Sequence, residues 1–260
     1  MPKTRLQVIE QIVTCRNCEL SSQCLSPVPL WSQSDAPAAT SMSTSTLPPG
    51  APRSPFTVLG EAPGQIEDRR GEPFVGWAGG FLRRKLRHIG VLDRAVFMNS
   101  VCCFPKKQEG GKPTKEHLKA CRPNLKAQLD QVESPWVLAV GAYALGAMVR
   151  HCTAITPALG HIIPIHGKLV YPVLHPSYIL RVNDPYLEED WMQELERFVD
   201  LTDFGEEVVE FKGTCWYCGK LSYPGSPVCY KHRNDWRNDQ AWEPVGGKKR
   251  KVHPDQGTLL

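Results

Sequence analysis

Phe56-Thr57-Val58-Leu59, running straight into Gly60-Glu61-Ala62-Pro63-Gly64, is the stretch on which the fold turns. A short, β-prone apolar run without a polar face is what a parallel strand buried on both sides looks like. Three similar runs follow, at Ala95 to Met98, Trp136 to Val140 and Leu169 to Leu174. Helix-like stretches separate them, at Gly80 to His88, Lys115 to Val132 and Ala142 to Val149. The alternation β-α-β-α-β-α-β predicts a three-layer α/β/α domain around a central four-stranded parallel sheet.

In such sheets ligands bind in the crevice beyond the carboxyl ends of the strands. Each predicted strand ends on something distinctive: the first on Gly60 to Gly64, the second on Asn99, the third on Gly141, the fourth on His175-Pro176-Ser177. An active site is expected where these four ends meet.

Around this centre lie simpler segments. Leu6, Ile9 and Val13 fall at helical spacing within residues 4–14, and Leu187 to Phe204 reads as an amphipathic helix closing the domain. Leu25 to Ser54 is rich in Ser, Thr, Pro and Ala without an apolar period, and is expected to be a long, flexible surface loop. The main domain is thus expected over residues 1–205, a small module over 206–245, and a basic, disordered tail over 246–260 that contains Lys248-Lys249-Arg250-Lys251.

A chain of 260 residues and net charge +4 has room for one domain with an appendage, and its charge is too small for histone-like binding to polyanions. The apolar run Trp136 to Val149 is broken by Gly141 and Gly146 and falls short of the about 20 residues that cross a bilayer. No secretion signal is evident at Met1 to Arg5, so a cytoplasmic protein without membrane contact is expected.

Ten cysteines in a reducing compartment suggest metal or redox chemistry more than disulfides. Cys15 and Cys18 form one group, Cys102, Cys103 and Cys121 a second, and Cys215, Cys218 and Cys229 a third. Cys24 and Cys152 fit no spacing and read as plain thiols. In the third group, Cys215-x2-Cys218-x10-Cys229-x2-His232 has the pair-plus-pair spacing of a tetrahedral Zn2+ site. Trp216, Tyr217, Tyr230 and Trp236 are expected to pack around that metal or to stack on bases, packing being favoured, and the module with its basic tail is expected to add DNA affinity.

Gly60-Glu61-Ala62-Pro63-Gly64-Gln65-Ile66-Glu67-Asp68, followed by Gly71-Glu72-Pro73-Phe74-Val75-Gly76-Trp77-Ala78-Gly79, closely resembles the first motif of the family 4 and 5 iron–sulfur uracil-DNA glycosylases. His175-Pro176-Ser177-Tyr178-Ile179-Leu180-Arg181 resembles their last motif, and Asn99 stands where they carry the asparagine that reads uracil. The likeness spans about residues 10 to 200 and does not include the Cys215 to His232 module. It implies a monofunctional hydrolase of base excision repair that releases uracil from DNA and leaves an abasic site, acting as a nucleoid-associated monomer. It also implies a 4Fe–4S cluster on Cys15, Cys18, Cys103 and Cys121, four thiolates being what a cubane requires. Cys102, beside Cys103, is passed over because adjacent cysteines do not normally both ligate one cluster.

The resemblance also assigns roles. A glycosylase extrudes its target into a pocket that stacks on the flat face and reads the Watson–Crick edge. Phe74 is the stacking ring, and the amide of Asn99 complements the O4 acceptor and N3 donor of uracil. Glu61, Ala62 and Gly64 complete the pocket, and His175 donates to O2 of the departing anion. Because Ala62 occupies the place where the best known members of the wider superfamily carry aspartate, the water-positioning role moves to Glu61, to Glu67 or Asp68, or is dispensed with, Glu61 and Glu67 being favoured equally. Ser177 and Arg181 contact DNA, Arg181 with Tyr178, Ile179 and Leu180 forming a loop that wedges into the base stack. Lys106 to Pro113 lacks the histidine with which variant members trap uracil covalently, so turnover is expected. Two rivals remain: a catalytically weak DNA-binding or regulatory protein on the same fold, and a metal-dependent nuclease using Glu61, Glu67 and Asp68.

Overall fold

The computed structural model describes residues 2–32, 55–106, 111–150 and 154–204. The Zn2+ ligand set Cys215, Cys218, Cys229 and His232, the basic tail, Cys152 and most of the expected loop at 33–54 lie outside the described residues.

The four expected strands form and lie side by side. β2 (Phe56–Gly60) pairs in parallel with β3 (Ala95–Asn99) on one side and with β4 (Trp136–Val140) on the other, and β4 pairs in parallel with β6 (Lys168–Val173). The sheet is wider than four strands. β1 (Trp31–Ser32) adds antiparallel to β3, and β5 (Ile163–Ile165) adds antiparallel to β6, giving the order β1-β3-β2-β4-β6-β5. The chain therefore moves outward from β2 to β3, then returns to the far side of β2 for β4. That reversal at the centre of the sheet opens a crevice at the strand ends.

Strand periodicity divides the core in two. Val96 and Met98, Val137 and Ala139, and Val170 point to one face, where Val8 and Ile12 of α1 (Arg5–Val13), Leu20 of α2 (Leu20–Gln23), Leu125 and Leu129 of α5 (Lys115–Leu129) and Leu145 and Met148 of α6 (Ala142–Met148) cover them. Phe56 and Val58, Phe97, Leu138 and Val140, and Tyr171 and Val173 point to the other. There Phe81, Leu82 and Leu86 of α4 (Trp77–His88), Ile179 of α7 (Pro176–Val182) and Trp191, Leu195 and Phe198 of α8 (Pro185–Phe204) close over them. This is the expected three-layer arrangement. Arg94 fixes the last turn of α8, its guanidinium bonding both carboxylate oxygens of Asp203 and the Thr202 hydroxyl. Among the described residues no helix is long and apolar enough to cross a membrane.

The expectation of a structureless Leu25 to Ser54 fails at its start. Val28 and Leu30 are buried, the Val28 N–H donates to the Cys102 carbonyl, and Trp31 begins the edge strand. Apolar residues too sparse to show a period still find partners when the chain is laid along a sheet edge.

Candidate active site

The strand ends do converge. The Ser100 hydroxyl and N–H both donate to the Gly60 carbonyl, at 2.7 and 2.9 Å, and the Val101 N–H donates to Glu61 at 3.1 Å. The loop after β3 is thereby locked against the loop after β2. Between them and the start of α7 lies a cleft of about 390 Å3, within the size range of small-molecule sites. Phe74, Asn99 and His175 all line it, as do Glu61, Ala62, Gly64 and Glu67.

Phe74 sits in the left-handed region at φ +59°, strained for a residue with a side chain, and such strain concentrates at functional sites. Its ring is 5.3 Å from that of Phe97. Two contacts show how tightly the aromatic and amide walls approach. A Cβ on Gly60 would stand 2.4 Å from Asn99 Oδ1 and 2.6 Å from Phe74 Cζ, so only glycine ends β2 here. At the end of β4, Gly141 adopts φ +92° and leaves the space that His175 Cβ and its ring occupy.

Glu67 and Asp68 serve the scaffold. The buried Glu67 carboxylate accepts the Gly76 N–H at 2.7 Å through Oε1 and the Gly64 N–H at 3.1 Å through Oε2. It is the N3 member of the capping arrangement at α3 (Gln65–Arg70), and it ties that helix to the loop carrying Phe74. Asp68 Oδ1 accepts the Leu25 N–H at 2.9 Å. Of the two carboxylates favoured for water positioning, Glu67 is bound into the scaffold, whereas Glu61 lines the cleft. Burial lifts its carboxyl to about 7, against the opposing pull of Lys112. The three carboxylates of the nuclease alternative do not form a metal-binding group, and among the described residues no three Cys, His, Asp or Glu side chains gather to hold a single ion.

His175 is the N-cap of α7, with Pro176 at the first helical position. Burial, reinforced by Lys112, pushes its imidazole down to about 4, so it is neutral at physiological pH. Its Nδ1 accepts the Ser177 N–H at 3.1 Å and lies 2.6 Å from the Ser177 hydroxyl. An acceptor Nδ1 on a neutral ring places the remaining proton on Nε2, which makes that nitrogen a donor.

The expected wedge loop is instead the helix α7. Ile179 is buried in it and takes no part in the surface, whereas Tyr178 and Arg181 are exposed, with the Arg181 guanidinium 5.4 Å from the Tyr178 ring. Pro176 starts this helix because its missing N–H is unneeded at the first helical position. Ser177 is likewise exposed, but its groups face His175.

The thiols of the first two cysteine groups also draw together. Cys102, Cys103 and Cys121 are buried in the same core cluster, with Cys18 and Cys24 packed against it. Cys18, Cys103 and Cys121 interact electrostatically with one another, and Cys15 with Cys102. The Cys102 N–H donates to Cys121 Sγ at 3.4 Å, and the Cys102 thiol bonds the same sulfur, which lowers the Cys121 pKa and raises that of Cys102. Cys24, set aside in the sequence, lies within bonding reach of Cys103. In a cubane each thiolate binds a different iron, so its ligands ring a volume and do not meet at a point; a gathering of sulfurs from three segments fits that demand.

Trp77 and Ile66, which had no assigned role, line the cleft and are exposed, and Lys112 acts electrostatically on both Glu61 and His175. The tryptophan was visible inside the quoted motif; the lysine was not, since nothing in its own loop ties it to the strand ends.

Residues 47–197 match the Uracil DNA glycosylase superfamily. The chain is 37% identical to a type-4 uracil-DNA glycosylase of Thermotoga maritima, over 54% of this chain and 73% of that protein. It is 28% identical to the type-4 enzyme of Sulfurisphaera tokodaii, over 67% and 74% of the two chains. The type-4 enzyme of Archaeoglobus fulgidus is 26% identical over 75% of this chain and 91% of its own.

Proposed function

The chain belongs to the uracil-DNA glycosylase superfamily, and on that premise we propose that its cleft hydrolyses the N-glycosidic bond of an everted deoxyuridine in DNA, giving free uracil and an abasic site. The observation that carries the reading is the meeting, in one cleft, of a strained aromatic ring, a buried amide and a neutral imidazole whose Nε2 donates. The alternative of a mere DNA binder gives no reason for that combination.

Each group has a distinct task. Phe74 stacks on the uracil ring. Asn99 offers its NH2 to O4 and its carbonyl to N3–H, a pairing that the reversed edge of cytosine would not satisfy. As the bond to the sugar lengthens, negative charge grows on the base, and a donor already aimed at O2 stabilises it without reorganisation. His175 suits this role because it is neutral: it donates from Nε2 while Ser177 holds its other nitrogen. The backbone of Glu61 to Gly64 closes the pocket wall.

Glu61 is the carboxylate for the attacking water. When ionised it orients the nucleophile and opposes the positive charge on the sugar; Glu67 holds the loops that frame the site. Ser177 and the exposed Arg181 face DNA from α7.

A 4Fe–4S cluster on Cys15, Cys18, Cys103 and Cys121 fits the gathered thiols. When bound it would crosslink the N-terminal helices to α5 and the loop after β3; hydrolysis requires no electron from it. The C-terminal ligand set Cys215, Cys218, Cys229 and His232 is proposed to hold Zn2+ and, with the basic tail, to add affinity for DNA.

The test is a uracil-containing oligonucleotide incubated with the protein and then treated with alkali. Breaks at uracil that require alkali are expected. Metal-dependent breaks without alkali would point to a nuclease, and intact strands that remain bound would point to a binder.

A further inference from the structure

One feature of the cleft has no task in the chemistry above. Trp77 is the first residue of α4, lines the cleft mouth, and is 78% exposed, the larger part of its indole standing in solvent. Ile66, also on the rim, is 44% exposed. Among the described residues, a large aromatic side chain so displayed at the lip of a binding cleft has no packing role to explain it. Its backbone is firmly placed, because the preceding Gly76 N–H is held by the buried Glu67 carboxylate.

The face of α4 below the indole is equally suggestive. Trp77, Gly80 and Arg84 follow one another at spacings of three and four residues and so share one side of the helix. Gly80 presents no side chain, and a Cβ there would meet only the Arg84 guanidinium, at 3.8 Å. Arg84 thus reaches back over Gly80 toward the N-terminal end where Trp77 stands. Arg84 and Arg87 are both exposed. An aromatic plate followed by cations is the arrangement by which proteins hold single-stranded nucleic acid, the ring taking a base and the cations its phosphates.

We propose that Trp77 is a stacking platform for the nucleobase adjacent to the everted one on the same strand, with Arg84 holding the phosphate beside it. The inference rests on the uracil-pocket reading and extends it outward. A nucleotide turned into the cleft draws its own backbone across the mouth, and its neighbour, deprived of one stacking partner, is brought over the lip. The indole supplies a replacement surface. Because every base has a π-face, the contact favours unstacked or single-stranded DNA without demanding a particular flanking base.

The experiment uses the full chain and a single-stranded oligonucleotide carrying 2′-fluoro-deoxyuridine, which resists cleavage, with 2-aminopurine as its immediate neighbour. Binding of the wild-type protein should quench the 2-aminopurine fluorescence by stacking. Trp77→Ala and Trp77→Gln should both lose the quench and weaken binding by about tenfold, whereas Trp77→Phe should keep most of each. Melting temperatures should be unchanged, since the side chain is in solvent. Arg84→Ala should lower the salt dependence of binding by about one phosphate contact. Quenching that survives in Trp77→Ala, or a wild-type complex without quenching, would overturn the platform. Release of uracil from an ordinary deoxyuridine oligonucleotide, followed in parallel, separates the two readings: retained release with no lip signal removes the platform alone, and no release by the wild-type protein removes the pocket reading on which it rests.

Discussion

The Ser177 N–H donates to Nδ1 of His175 at 3.1 Å, and this bond leaves Nε2 as the nitrogen that carries the proton of the neutral imidazole. The His175→Ala variant removes that donor from the departing base and should lower kcat by about 10²- to 10³-fold, the usual cost of losing one oxyanion donor. Because the imidazole titrates near 4, its neutral form persists at every pH above that, and single-turnover rates should show no histidine ionisation near 6.5. An ionisation near 6.5 that vanishes in the His175→Ala variant would refute the neutral-donor role.

Glu61 should set the pH dependence instead. Its carboxyl is raised to about 7 by burial, so the ionised form needed to orient water accumulates only as pH rises through that value. The rate should climb through about pH 7, and Glu61→Gln should abolish the climb along with most of the rate. Stability runs the opposite way. The folded state holds a proton on Glu61 between the unfolded value near 4.5 and about 7, so folding weakens as pH rises through that window. The melting temperature of the wild type, compared with Glu61→Gln, should fall between about pH 5 and about pH 8.

Glu67 should behave as a brace. The Glu67→Ala variant strands the Gly64 and Gly76 amides and should cost about 2 kcal/mol or more in thermal or denaturant unfolding. It should also weaken substrate binding by loosening the loop that carries Phe74. Glu67→Gln, which retains one acceptor, should recover part of both losses. A Glu67→Ala variant as stable as wild type but without turnover would return the water-positioning role to this residue.

Gly60 should tolerate no side chain. In Gly60→Ala the new Cβ would stand 2.4 Å from Asn99 Oδ1, and the displaced amide should lower uracil release by about 10²-fold, as misplacement by about an ångström does. Cytosine-containing DNA should remain uncut by the variant.

Cys102 and Cys103 are adjacent, yet only one belongs to the proposed ligand set. Cys103→Ser should lose the brown absorbance of the 4Fe–4S cluster and its iron content on purification, and Cys102→Ser should keep both. The reverse outcome would exchange the two assignments.

Much of this was legible in the chain itself, for a physical reason. β2, β3, β4 and β6 are buried on both faces and so appear as uninterrupted apolar runs, and the residues at their ends, Asn99 and His175 among them, are placed by those strands. The edge strands left no such trace. Trp31–Ser32 is two residues long, and Ile163–Ile165 carries an exposed proline at its centre. Helix α3 was hidden in a glycine-rich motif because its N-terminus is made by a carboxylate from within, Glu67, bonding the Gly64 amide. The neutrality of His175 and the lifted carboxyl of Glu61 are products of burial, which no spacing of residues reveals.

The most direct measurement is a crystal structure of the protein soaked with free uracil, the product of the proposed reaction. Uracil should lie in the cleft with its face on Phe74, its O4 and N3 edge against the Asn99 amide, and its O2 within hydrogen-bond reach of His175 Nε2. Uracil bound with that edge turned to solvent, or found only outside the cleft at saturating concentration, would contradict the assignment.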